Sequence, residues 1–388
     1  MVVIPIIENQ FRMEGGVGDC SYARNSALQA TAFVQVKEVL AKGLLNLELP
    51  TDGTVVAVAD LGCSTGPNTV SVVNFVVGRL RQRFMDSDSD LMKSNMPDFQ
   101  AFFSDLPSND FNTLFQMLCA LHNEDESPCI EGFRPRGSYF VAGVPGSFYK
   151  RLFPRSSLHV IVSFHSLHWL SKIPPAVQDK NSPAWNKGES WINHPNRAVA
   201  EAYEQQAKED LSMFLVHRAT ELAPGGLLFL LFGGREDASH PEKQLGSTHA
   251  CVWTAELDEA WRDLANEGLI DADTRDSFNF PMYYRSVDEF QQAVNESSLF
   301  IVQSLHQTKV FAPTHEETER VTDPEAFARR RSNFFKSVLG GLVEAHIGPH
   351  LAQVFFKRLE HRVAENAKNL PEEAPYVLNV ACLTRTRK

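Results

Sequence analysis

Two hydrophobic rhythms alternate along this chain. Short, nearly unbroken apolar runs at 55–59, 99–103, 139–144, 158–163 and 227–232 read as strands covered on both faces. Between them lie longer stretches with apolar residues every three or four positions, the spacing of an amphipathic helix. The plainest are 26–45, carrying Leu28, Ala32, Val36, Val39 and Leu40; the segment after Pro67, carrying Val70, Val73 and Val76; and 198–221, stopped at Pro224-Gly225-Gly226. The runs 300–310 and 376–383 are predicted to pair antiparallel at the sheet edge. The polar stretch 85–96 reads as a surface loop, and across 240–299 short amphipathic helices replace the strands. The pattern predicts an α/β fold with a largely parallel sheet and an inserted helical cap. Residues 1–50 form an arm and helix, 51–239 with 300–388 the α/β domain, and 240–299 the cap.

The first strand leads into the most informative turn. Its apolar run ends in Asp60, followed by Leu61-Gly62-Cys63-Ser64-Thr65-Gly66-Pro67-Asn68 and then a helix. Strand, glycine turn and helix open a doubly wound sheet, whose ligands sit at the carboxyl ends of the strands. The turn lacks both the GxGxxG spacing for a pyrophosphate and the Gly-Lys-Ser/Thr of a P-loop. A nucleoside carried without phosphates fits, and S-adenosylmethionine (SAM) is the obvious candidate. Gly62-Cys63-Ser64-Thr65-Gly66 also matches the G-x-S-x-G nucleophile elbow of hydrolases, with Ser64 as nucleophile. That elbow follows several strands, whereas this turn follows the first. Asp105, ending the second strand, has two readings: a ribose acceptor, or an N-cap for the helix from Asn109. The ribose acid usually lies about twenty residues past the glycines. Here the gap is about double, with the 85–96 loop absorbing the excess.

Composition narrows the class. A net charge of −11 argues against nucleic acid as partner. No apolar run approaches membrane-spanning length, and the start lacks the basic region of a signal peptide. Six scattered cysteines without a CxxC pair point to a reducing cytosol and no zinc site. A cytoplasmic small-molecule enzyme is the expectation.

Several blocks together resemble the SABATH family of plant methyltransferases. They are Met13-Glu14-Gly15-Gly16, Ser21-Tyr22-Ala23-Arg24-Asn25-Ser26, the 60–68 turn, and Asp105-Leu106-Pro107-Ser108-Asn109-Asp110-Phe111-Asn112. Gly143-Val144-Pro145-Gly146-Ser147-Phe148-Tyr149, Ser166-Leu167-His168-Trp169-Leu170-Ser171 and Asn186-Lys187-Gly188 follow in family order. The resemblance implies a Rossmann-like class I methyltransferase sheet and SAM contacts from Tyr22, Ser26, Cys63, Asn68, Asp105, Leu106, Ser147 and Phe148. Asn68 and Ser26 would hold the amino-acid end, Asp105 the ribose, Ser147 the adenine edge, and Leu106 and Phe148 its faces. Singly, Leu106 and Phe148 read as core residues and Cys63 as an inert buried thiol.

For the acceptor, the resemblance implies that Gln29 and Trp169 hold a substrate carboxylate through N–H donors. The related purine N-methyltransferases usually lack that glutamine, so Gln29 favours an ester product over a methylated base. Tyr22, His165, His168, Gly233, Val252 and Trp253 fall at pocket positions. Trp253 and Phe148 point to a flat aromatic acid of benzoate, salicylate or cinnamate type. Gly233 is expected to leave room for one longer than benzoate, while indole-3-acetate and jasmonate are not separated from these by sequence. Glu14 stands where salicylate-type members carry lysine, and His165 where the family usually has tyrosine. Some relatives imply a magnesium site, matched by Asn186, Asp276, Phe278 (through its carbonyl) and Asn279, and the family implies a homodimer. No catalytic base is expected. A carboxylate is already ionised at neutral pH, and holding it in line with the methyl can be worth about 7–11 kcal/mol.

Overall fold

The computed structural model describes residues 12–50, 52–87, 95–123, 139–192, 196–244, 250–311, 314–370 and 375–387. Among them, seven strands form one sheet: β1 (Val56–Leu61), β2 (Phe99–Asp105), β3 (Phe140–Pro145), β4 (Leu158–Phe164), β5 (Leu222–Gly233), β6 (Phe300–Val310) and β7 (Tyr376–Arg385). The helices are α1 (Ala27–Leu45), α2 (Pro67–Met85), α3 (Phe111–Asn123), α4 (Arg197–Glu221), α5 (Ala250–Asn266), α6 (Ala272–Ser277), α7 (Val287–Ser297), α8 (Thr314–Thr322) and α9 (Pro324–Asn366). The strand order is β3-β2-β1-β4-β5-β7-β6. β1 to β5 run parallel, and β7 is antiparallel to both its neighbours. The last two strands therefore pair as expected, with β7 slotted between β5 and β6.

Period-two alternation in the apolar strands places one residue set on each face. Val56, Val58, Val160, Val162, Phe229 and Leu231 pack with α1 and α2 through Val36, Leu40, Val73, Val76 and Val77. Ala57, Ala59, Leu61, Ile161, Leu228 and Leu230 pack with Leu211, Phe214 and Leu215 of α4 and Phe290 and Val294 of α7. From β1 the chain steps outward to β2 and β3, then returns to lay β4 on β1's other side. The resulting crevice at the carboxyl ends of β1 and β4 is where ligands bind in such sheets.

A second core lies beyond the sheet. Trp191, Tyr203, Trp261, Phe278, Phe355 and Leu359 anchor it, drawn from three separated stretches, 170–207, 257–283 and 327–367. The second core thus draws on chain before and after 240–299 as well as within it. α7 lies within that stretch yet packs on α4 and β6, while α9 packs against α5. The chain 311–375, where the sequence pattern predicts no element, supplies α8 and the long α9, broken at Gly348-Pro349. Helix α4 ends at Glu221 as expected, but Pro224-Gly225-Gly226 lies inside β5 and does not precede it. α4 passes straight into β5, and the register against β4 shifts there. Among the described residues, no helix is long and apolar enough to cross a membrane.

Candidate active site

The chain leaves β1 at Gly62, with φ at +74°. A Cβ there would stand 2.2 Å from Ser166 Oγ, so only glycine closes the turn against the loop after β4. Ser166 Oγ donates back to the Gly62 carbonyl at 3.1 Å. Beyond it, the Ser64 N–H donates to Asp105 Oδ2 at 2.6 Å, and the Leu106 N–H to Oδ1 at 2.7 Å. Asp105 is therefore fixed by the turn and does not cap α3. The Thr113 N–H is instead taken by Asp110 Oδ1 at 3.0 Å. Burial pushes the Asp105 carboxyl up to about 6, against the pull of those two N–H donors. Each oxygen keeps spare acceptor capacity, which suits two ribose hydroxyls.

Asp60, one residue before the end of β1, is not among the residues predicted as site residues from sequence. It is buried, and Thr69 Oγ1 donates to its Oδ2 at 2.5 Å. Its Oδ1 has no hydrogen-bond partner among the described residues. Burial, with the charge of Asp105 adding to it, lifts the Asp60 carboxyl to about 7. The available signal is an acid inside a strand that is otherwise apolar. A buried and a half-buried carboxylate beside a glycine turn fit a cofactor that brings cationic sulfonium and ammonium groups to this crevice.

A cavity opens at this point. Of the predicted residues, Tyr22, Asp105, Leu106, Ser147, Phe148, His165 and Trp169 line it, together with Met13 and Tyr149, which were not predicted. No lysine or arginine stands among these described lining residues. Ser26, Cys63 and Asn68 sit behind the wall. Asn68 Nδ2 donates to Ser26 Oγ at 3.0 Å and to its carbonyl at 3.1 Å, tying α1 to the start of α2. Cys63 Sγ donates to the Ser64 carbonyl, and burial holds the thiol neutral. The arm that brings in Tyr22 and Met13 is pinned on both sides. The Glu14 N–H donates to the Ser337 carbonyl at 2.8 Å, and the Gly16 N–H to Asp110 Oδ2 at 2.9 Å.

At the far end, His165 takes a left-handed backbone, with φ at +54°. Its Nε2 is buried without a partner among the described residues. Burial lowers His165 to about 4 and His168 to about 3, so both imidazoles are neutral at pH 7. His168 Nδ1 accepts the Gly233 N–H at 3.2 Å, which puts its ring proton on Nε2. The space expected over Gly233 is filled. A Cβ on Gly233 would lie 2.3 Å from the ring of Tyr284, which also meets the edge of His168 with ring centroids 5.4 Å apart. Gln29 is half-buried on α1 with Oε1 sealed from solvent and unpartnered among the described residues. The side chains of Val252 and Trp253 lie outside the described residues.

The magnesium assignment does not fit. Asn186 Nδ2 donates to the carbonyls of Glu189 and Trp191 and to Asn279 Oδ1, at 2.8, 2.8 and 2.9 Å. Asp276 Oδ1 is paired with the Arg275 guanidinium at 2.5 Å. A hard dication needs several free oxygens, and the one carboxylate of this set is already matched by a cation. Ser64 gives no support to hydrolase chemistry. Its Oγ is buried without a partner among the described residues, whereas a nucleophile needs a base within hydrogen-bond reach.

A sheet of this order, with its seventh strand reversed and a turn for an unphosphorylated nucleoside at its switch point, is that of a SAM-dependent methyltransferase. The family model described as SAM dependent carboxyl methyltransferase matches residues 8–386. The chain belongs to that family, the SABATH group, and is a SAM-dependent carboxyl methyltransferase. It is 40% identical to gibberellic acid methyltransferase 2 of Arabidopsis thaliana over 93% of this chain and 90% of that protein. It is 38% identical to indole-3-acetate O-methyltransferase 1 of the same plant, covering 98% of this chain and 96% of that one. Among solved structures it is similar to a loganic acid methyltransferase with S-adenosylhomocysteine (SAH), at a TM-score of 0.78 and 28% identity, over 96% of this chain and 98% of that one.

Proposed function

We propose that this chain methylates the carboxylate of a flat, ring-bearing acid no longer than indole-3-acetate or a cinnamate. The carrying observation is the part of the cavity wall not assigned to the cofactor, where the rings of Tyr149, His165 and Trp169 stand. Tyr284 fills the space over Gly233 that the sequence reading reserved for a longer acid. The 38% identity to an indole-3-acetate methyltransferase supports the same size class.

Asp105 holds the ribose, Ser147 and Phe148 the adenine, and Asp60 faces the cationic end of the cofactor. SAM supplies an electrophilic methyl on a sulfonium. Gln29 and Trp169 hold the acceptor carboxylate through N–H donors, with one oxygen aimed at that methyl. No base is needed, because the carboxylate is already ionised at pH 7, and both histidines are too weakly basic to protonate it. Rings on the wall and the pinned arm keep water out while the two opposite charges disappear together. Orientation is the main contribution of the protein.

The test is methyl-labelled SAM with benzoate, salicylate, cinnamate, indole-3-acetate, gibberellic acid, jasmonate and xanthine. Label in the organic extract with indole-3-acetate or cinnamate as the best acceptors is expected. Label only on xanthine would sink the carboxylate reading of Gln29. Gibberellic acid as the best acceptor would support a second reading, which the 40% identity to a gibberellic acid methyltransferase favours.

A further inference from the structure

A buried ion pair sits beneath the loop that carries Ser147 and Phe148. Arg218 and Glu221 lie in the last turn of α4, both with side chains at 0% exposure. Arg218 Nε and Nη2 donate to Glu221 at 2.8 and 2.9 Å. The guanidinium also donates to the loop, from Nη1 to the Phe148 carbonyl at 2.5 Å and from Nη2 to the Lys150 carbonyl at 2.9 Å. Glu221 Oε1 completes the clamp by accepting the N–H groups of Leu152 at 2.6 Å and Phe153 at 3.1 Å. Two side chains three residues apart thus hold four backbone groups of a segment that belongs to no helix or strand. Arg218 also reaches Phe148 through its ring. The guanidinium lies 5.2 Å from the centroid of Phe214, and Phe214 packs edge-on against Phe148 at 5.9 Å and 87°.

Stability alone is a poor reason for this pair, since well-packed apolar residues often replace a buried ion pair without loss. A fork of fixed donors and acceptors supplies geometry instead. We infer that Arg218 and Glu221 are positioning residues, which set the Ser147–Phe148 loop at the height where it grips the adenine of the cofactor. This rests on reading Ser147 and Phe148 as adenine contacts.

The test measures SAH and adenosine binding to the full chain by calorimetry, for wild type, Arg218→Lys, Glu221→Gln, Phe148→Ala and the Arg218→Lys/Phe148→Ala double variant. Lysine keeps the charge but cannot reach two carbonyls and a carboxylate in one plane. The expected result is that Arg218→Lys weakens SAH and adenosine by the same factor, about tenfold, the order of one lost base–aromatic stack. In the Phe148→Ala background the same change adds less than twofold. KM for the acceptor acid and kcat at saturating SAM stay within threefold. A purely structural role would lower the melting temperature and the active fraction while leaving both affinities unchanged, and that result overturns the inference. If Phe148→Ala leaves adenosine binding unchanged, the adenine reading falls and takes the inference with it. If Phe148→Ala weakens adenosine and Arg218→Lys does not, only the positioning role falls. Should Arg218→Lys fail to fold, Glu221→Gln decides: about threefold weaker adenosine supports the clamp, and unchanged affinity refutes it.

Discussion

Replacing Asp60 with asparagine should remove a pH dependence that burial of this carboxyl gives the stability of the cofactor-free wild type. In the folded protein burial raises this carboxyl from 3.8 to about 7. The native state therefore holds its proton more tightly than the unfolded chain, and stability is lost as pH rises from about 4 through 7. Three pH units at 1.36 kcal/mol each make the cost of ionised Asp60 at pH 8 about 4 kcal/mol, an upper value because buried sites relax. Asparagine never ionises, and its amide oxygen can still accept from Thr69 Oγ1. Its NH2 falls where Oδ1 is unpartnered among the described residues, and an unsatisfied buried donor costs about 1–3 kcal/mol. The net expectation is a variant about 1–3 kcal/mol more stable than wild type at pH 8 and about 1–3 kcal/mol less stable at pH 4. Differential scanning fluorimetry of both proteins from pH 4 to 8 checks this, the two melting curves crossing between pH 5 and 7. A difference that stays constant across that range would refute the reasoning, whatever its sign.

Because a cationic cofactor favours the ionised form of Asp60, whose carboxyl sits at about 7, SAM binding at pH 7 should release up to about half a proton. Titration calorimetry in two buffers of different ionisation enthalpy measures it, and the release should vanish in Asp60→Asn. Gly233→Ala drives a Cβ into the Tyr284 ring at 2.3 Å. It should cost about 1–3 kcal/mol by overpacking and raise KM for the acid more than KM for SAM. Since His165 and His168 are neutral above about pH 5, kcat at saturating SAM should show no histidine inflection between pH 6 and 8. His165→Phe should leave that profile flat while shifting the ranking of acceptor acids. EDTA should leave turnover unchanged, because Asp276 is already paired with Arg275, and restoration of EDTA-treated enzyme by magnesium alone would contradict this.

How much of this was legible in sequence follows from range. The apolar run into Asp60 and the glycine turn are local facts, because a β-branched strand and an αL glycine are dictated within a few residues. The α/β alternation, the switch-point turn and the family blocks could therefore be read directly, and Asp105 could be placed at a strand end. Whether it caps the following helix could not. That was decided by the Ser64 N–H, 41 residues away in sequence, which holds its Oδ2. Likewise Gly233 promised space only until Tyr284, carried by the segment after α6, was seen to fill it. The long α9 escaped because its apolar face matches a core shared by three distant stretches, and no periodicity inside 311–375 names that partner. Asp60 read as the end of a strand, and only burial revealed a carboxylate oxygen without a partner among the described residues. Sequence by itself determined the strands, the turn and the chemistry of the cofactor, since these depend on neighbours along the chain. The Tyr284 ring over Gly233, the Arg275–Asp276 pair and the Arg218–Glu221 clamp were decided only by tertiary structure, because each depends on side chains whose geometry folding sets.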